Sequence, residues 1–149
     1  MSIITRSREL IMNNDSSTTR PPSVWPTFQA KDAPAMIKFL VDVVGFVETA
    51  RYDDGEQVAH CQLDWPEGGG VMFGSHKPDG PWTVAPGTAG IYVVSNHVDE
   101  VYERVRASGV QILREPDDTD YGSREFGFAD PEGNLWSVGT YAGEPAPSR

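Results

Sequence analysis

In the run Val58-Ala-His-Cys-Gln-Leu-Asp64, the polar residues His60, Gln62 and Asp64 alternate with Ala59, Cys61 and Leu63. Successive side chains of an extended strand point to opposite faces, so the polar three should line one face and the apolar three the other. An imidazole and a carboxylate invite a metal reading, but distance works against it. Donors four residues apart lie about 13 Å apart along a strand, too far to share an ion. The pattern instead supports a polar wall of a wet cavity. His76 and His97 fall in a loop and near a helix start, where surface positions are expected. Ser137 lacks a Gly-x-Ser-x-Gly elbow, and nothing in the sequence sets His60 or an oxyanion hole against it, so no nucleophile is expected there. No catalytic residue is assigned.

These residues need a scaffold, and its pattern repeats within the chain. Residues 25–30 read as a strand and 33–44 as a helix, with Asp32 as N-cap, Pro34 just inside the start and Gly45 as the stop. Strands at 46–51, 57–64 and 71–74 follow, divided by Asp53-Asp-Gly55 and Pro66-Glu-Gly-Gly-Gly70 turns. The second half runs the same way: strand 90–94, helix 98–108, stop Gly109, then strands 110–113, 124–129 and 135–140. Val98, Val101, Tyr102 and Val105 form one apolar helix stripe that must pack on a sheet. Asp64-Trp-Pro-Glu-Gly echoes Asp130-Pro-Glu-Gly. We expect an α+β protein of two βαβββ modules, at 23–80 and 86–142, forming one domain over 23–142. A flexible arm over 1–22 and a tail over 143–149 flank it.

A chain of 149 residues is long enough for one domain with a sizeable core and too short for two independent enzymes. The formal net charge of −10, with no visible Lys/Arg cluster, excludes nucleic acid as an expected partner and favours a neutral or cationic small molecule. The single Cys61 precludes an internal disulfide and suits a reducing compartment. No apolar run reaches the roughly 18 residues that span a bilayer. We therefore expect a cytoplasmic protein without membrane partners.

Several segments together carry a family resemblance: Phe28-Gln-Ala-Lys-Asp-Ala-Pro-Ala-Met-Ile-Lys-Phe-Leu40 with Val44-Gly-Phe46, Val58-Ala-His-Cys-Gln-Leu63, and Tyr121-Gly-Ser-Arg124 leading to Asp130-Pro-Glu-Gly133. In order and spacing, over about residues 24–142, the chain resembles the vicinal oxygen chelate superfamily of glyoxalase I, extradiol dioxygenases and bleomycin-resistance proteins. The resemblance implies a cupped eight-stranded mixed sheet with helices on the convex face and a ligand cavity inside. It also implies four inward His or Glu metal ligands from the first, third and last strands of the pattern. Those positions fall on Trp25, Gln62, Gly90 and Ser137. Transition metals prefer imidazole, thiolate or carboxylate donors, so neither metal nor cofactor is expected here.

What remains is a cavity with polar and aromatic walls. Trp25 and Tyr92 should face inward, Trp82 in the inter-module connection could close the mouth, and Tyr121 and Arg124 supply a phenol and a donor fork. With His60, Gln62, Asp64 and Ser137 these form the expected ligand-binding set. Trp136 is expected in the core, Phe126 and Phe128 in either core or wall, and Arg124 has an ion pair as its alternative fate. Bleomycin-resistance relatives sequester a cationic drug unchanged, as dimers with pockets at the subunit interface. By that resemblance we expect a homodimer binding a hydrophobic or aromatic small molecule, with a cationic one among the candidates. A lyase or dioxygenase with a noncanonical metal site, and an accessory protein-interaction domain, are the alternatives.

Overall fold

A computed structural model describes residues 20–147. Most of the expected N-terminal arm and the last two residues of the expected tail lie outside that range. The first module comprises β1 (Thr27–Ala30), α1 (Ala33–Phe39), β2 (Val47–Asp54), β3 (Gln57–Asp64) and β4 (Gly70–Ser75). The second comprises β5 (Gly90–Val94), α2 (Val98–Ser108), β6 (Ile112–Asp118), β7 (Arg124–Ala129) and β8 (Leu135–Gly139). The eight strands form two four-stranded sheets of matching order, β1-β4-β3-β2 and β5-β8-β7-β6. In each, the first strand runs parallel to its neighbour and the other pairs are antiparallel.

Asp32 caps α1 by accepting from Ala35 N at 3.0 Å, with Pro34 in the first turn, as its sequence demands. The continuous helix expected to residue 44 instead loosens into a π-helical turn, Leu40–Val44, in which Gly45 N and Phe46 N both donate to Leu40 O at 2.9 Å. Gly45 ends it at φ 112°, a conformation open to glycine. The last carbonyls, at Val43 and Val44, accept from the guanidinium of Arg104 on α2 at 2.9 and 3.0 Å. A cation from the second module thus satisfies the exposed end of the first module's helix.

The helix-covered faces of both sheets meet in one core. Phe28 stacks on Phe73, Phe126 on Phe128, and Phe128 on Trp136. Aromatic contacts join the modules: the Phe39 ring lies 6.2 Å from that of Phe128, and Phe46 lies 5.8 Å from Trp136 as well as 5.0 Å from Trp65 of its own module. Each such pair adds about 0.5–1.5 kcal/mol beyond the area it buries. Trp136 and both phenylalanines of β7 are therefore core residues. The indole N–H of Trp136 is satisfied by Asp130 Oδ2 at 3.0 Å, while Asp130 Oδ1 accepts from Glu132 N and Asn134 N to hold the β7–β8 turn.

Three local expectations shift. Ala59 is exposed rather than facing the helices, because a bulge between Tyr52 and Asp53 breaks the alternation between Val58 and Cys61. Strand β2 extends to Asp54. Strand β6 runs on through Arg114-Glu-Pro-Asp-Asp118, a charged and Pro-containing segment that an edge strand with irregular pairing accommodates.

Candidate functional site

With Phe126 and Phe128 committed to the core, alternation turns Glu125 and Gly127 of β7 to the opposite face. Glu125 is only 4% exposed. Its carboxylate accepts from the hydroxyl of Tyr121 at 2.7 Å, the hydroxyl of Tyr92 at 3.1 Å and Arg114 Nη1 at 3.2 Å. Tyr92 stands on β5 and must reach across β8, and the residue it crosses is Gly139, the register partner of Glu125. A Cβ at that position would lie 2.4 Å from Tyr92 Oη and 2.6 Å from Glu125 Cγ. The glycine makes room for the bond.

Tyr141, just beyond β8, continues the face of Ser137 and Gly139, and its ring meets that of Tyr121 edge-on, with centroids 5.6 Å apart at 76°. Its hydroxyl donates to Glu144 at 2.9 Å. Tyr92, Tyr121 and Tyr141 wall a cavity of about 660 Å³, which Val94, Glu125 and residues 142–144 also line. Residues 143 and 144, expected to belong to the C-terminal tail, are part of this lining.

Burial works against ionisation of Glu125, but hydrogen bonds from Tyr121, Ser123 and Tyr92, together with the charge of Arg114, outweigh it and hold the carboxyl below its ordinary pKa. The phenols move the other way: Tyr92 is raised mainly by burial, Tyr121 by its bond to Glu125, and Tyr141 by its bond to Glu144. At neutral pH Glu125 is an anion held by neutral hydroxyls and one guanidinium.

The expected site residues divide between two surfaces. Tyr92 and Tyr121 belong to this cavity, and Ser137 shares the Tyr92 face as its register partner on β8. Trp25, His60, Gln62 and Asp64 lie on the first module. There Gln62 Nε2 donates to Asp64 Oδ1 at 2.9 Å, Tyr52 leans over His60 with ring centroids 5.8 Å apart, and the Trp25 indole lies against Gly70 while donating to Pro22 O. Both polar faces are turned away from the shared core, so one chain does not bring the four together with Tyr92. Trp82 is 53% exposed, and its carbonyl rather than its ring is engaged, accepting from Gln29 Nε2 at 2.7 Å. Arg124 shares the core-side face of Phe126 and Phe128, and its guanidinium pairs with Asp99 at 3.0 Å and Asp118 at 3.3 Å. It is not a wall of the cavity; the residue beside it, Glu125, is.

Glu125, Tyr141 and Glu144 went unassigned in the sequence. Alternation carried forward from Ser137 reaches Tyr141, and a firm core assignment for Phe126 would have turned Glu125 toward the cavity. Gln29 also went unassigned: nearly buried, it pins the inter-module connection by donating to Trp82 O and Val84 O and accepting from Lys77 N at 3.0 Å.

The residues at the four matched metal positions do not fit a transition metal. They offer an indole, an amide, no side chain and a hydroxyl; Gln62 stands on one sheet, Gly90 and Ser137 on the other, and Trp25 lies just before β1. Among the described residues, no three His, Cys, Asp or Glu side chains converge on an ion-sized site.

Paired βαβββ modules with open polar faces and a shared helix-side core define a class of protein, and comparison places the chain within it. The chain belongs to the Glyoxalase/Bleomycin resistance protein/Dioxygenase superfamily, whose sequence profile matches residues 24–138. Its fold is similar to the crystal structure of TioX from Micromonospora sp. ML1, at 27% identity and TM-score 0.63, covering 78% of this chain and 98% of that one. It is also similar to a glyoxalase/bleomycin resistance protein from Streptomyces sp. CB03234, at 24% identity and TM-score 0.60, covering 75% and 94%. A superfamily member from Sphaerobacter thermophilus DSM 20745 shares the fold at 18% identity and TM-score 0.59, covering 79% and 97%. A comparison with curated protein sequences finds no match. Among the described residues no helix is long and apolar enough to cross a membrane.

Proposed function

We propose that this chain binds and sequesters a hydrophobic or aromatic small molecule in the cytoplasm, without a metal and without altering its ligand. The observation that carries this reading is the tyrosine-walled cavity over Glu125, together with a family metal position set that has lost its donors. Three aromatic walls around a few fixed polar groups are the usual make-up of a small-molecule site. The polar face of the first module, with Trp25, His60, Gln62 and Asp64, is the second half of the proposed binding surface. This division supports a homodimer: a second copy laying that face over Tyr92 and Ser137 would close the cup that one chain leaves open. Trp82 would then stand at its mouth.

The test is a thermal-shift screen of the full chain, purified without chelator or affinity tag, against aromatic compounds and drugs. A compound that selects the native state raises the melting temperature, by about 2.7 kcal/mol of added stability at a hundredfold excess over Kd. We expect such a compound to be recovered unchanged. A stoichiometric transition metal in the purified protein, or turnover of the bound compound, would overturn the proposal.

A further inference from the structure

All three tyrosines of the cavity spend their hydroxyl protons on carboxylates: Tyr92 and Tyr121 on Glu125, Tyr141 on Glu144. The phenols therefore present a guest with oxygen lone pairs and ring faces but no donor hydrogen. A phenol that donates to a carboxylate is also richer in π-electron density, which strengthens the negative potential over its ring. Tyr121 and Tyr141 meet nearly at right angles, forming a corner of two aromatic walls. The nearby cation, Arg114, is engaged with Glu125 from the β6 side and lies outside the cavity wall, leaving Glu125 and Glu144 as the charged side chains that line it. The chain as a whole carries a net charge of −10.

From this geometry we infer that the cavity selects an organic ammonium ion, held by cation–π contact with Tyr92, Tyr121 and Tyr141 and by the charge of Glu125 and Glu144. Anions meet two carboxylates and no phenolic hydrogen. Neutral acceptors find no phenolic hydrogen to bind. An alkylated ammonium, weakly hydrated and positive over its whole surface, matches ring faces better than a compact hydrated cation does. This inference rests on the cavity being a small-molecule site and names the chemistry of its guest.

The test compares two guests of the same shape, choline and its neutral carbon isostere 3,3-dimethylbutan-1-ol, with benzyltrimethylammonium as a larger cation. The ring resonances of the untagged full chain are followed by NMR. Either ammonium should shift Tyr92, Tyr121 and Tyr141 and bind about tenfold or more tightly than the neutral isostere. Tyr141→Leu, a change at a partly exposed ring, should weaken the ammonium by about tenfold and leave the isostere nearly unaffected. Equal binding of the isostere, or ammonium shifts that bypass these tyrosines, would overturn the inference. If the ammonium ions fail while a neutral aromatic compound from the thermal screen shifts the same three rings, the ammonium assignment falls and the binding function stands. If no compound of any charge moves those rings, both fall.

Discussion

Glu67 and Glu132 hold corresponding places in the two modules, and each grips the other's helix start. Glu132, on the β7–β8 turn, accepts from Lys31 N at 2.6 Å and Asp32 N at 2.9 Å, just before α1. Glu67, on the β3–β4 turn, accepts from the Ser95 hydroxyl at 2.7 Å and Asn96 N at 2.8 Å, just before α2. The Pro-Glu-Gly echo between the modules is thus a reciprocal clasp that uses the positive end of each helix.

Removing either carboxylate should loosen the clasp without touching the core. Glu67→Ala and Glu132→Ala should each cost about 1 kcal/mol, as the loss of a helix cap does. The two sites share no partner, so the effects should add in the double variant. Urea midpoints of the three variants against wild type would check this, and unchanged midpoints would reduce the clasp to incidental contact.

The Glu67 clasp should also depend on pH. Burial disfavours its charge, but the bonds from Asn96 and Ser95 and the nearby His97 outweigh that and lower its pKa in the folded chain. Its contribution is therefore present above the unfolded value of about 4.3 and is lost as pH falls through the lower folded value. In Glu67→Gln, urea midpoints should fall less steeply on the acid side than in wild type.

Glycine stops and strand alternation made the module pattern legible. Gly45 and Gly109 end their helices with positive φ, and His60, Gln62 and Asp64 share one face as their spacing requires. Features set by tertiary contact were not legible. The π-helical turn before Gly45 is accompanied by Arg104 reaching over from the other module, about 60 residues further along the chain. Strand β6 is disguised because it is an edge strand that carries Arg114, Glu115 and Asp117, residues that read as loop. Arg124 and Glu125 are adjacent and face opposite ways, so one ambiguous assignment for Phe126 and Phe128 was enough to exchange an ion pair for the floor of the cavity.

Gly139→Ala tests the space that the cavity requires. The added methyl would push Tyr92 Oη and Glu125 Cγ apart, since both stand closer to it than any contact allows. A cost of about 1–3 kcal/mol is expected, as for an overpacked site. The Tyr92 ring resonances should move with it, and any ligand stabilisation found in the thermal screen should shrink. An alanine variant with unaltered Tyr92 resonances would contradict the geometry.

The charge state of Glu125 offers a direct reading of its hydrogen bonds. In wild type its carboxyl should titrate below the ordinary carboxylate value, because three hydroxyls and Arg114 outweigh its burial. Tyr121→Phe removes the shortest of the observed donor contacts and should move that pKa upward, measured by carbon NMR of the carboxyl group. Glu125→Ala would strand Tyr92, Tyr121 and Arg114 without their acceptor, a loss of about 1–3 kcal/mol. Because the lowered pKa stabilises the folded state only above the unfolded value, the gap between wild type and Glu125→Gln should narrow as pH falls through the folded value.

Phe46 tests whether the two modules are one folding unit. It follows the Gly45 stop, is 3% exposed, and touches Trp65 of its own module and Trp136 of the other. Trp65 extends the joint by donating its indole N–H to Val94 O at 2.7 Å. Phe46→Ala would open a cavity between both indoles at a cost of about 3–5 kcal/mol. With a shared core, that loss must fall on both modules at once, so the variant should still unfold in a single transition, shifted to lower denaturant. Two separated transitions, one for each module, would show that the aromatic joint is an interface between independent units rather than a common interior.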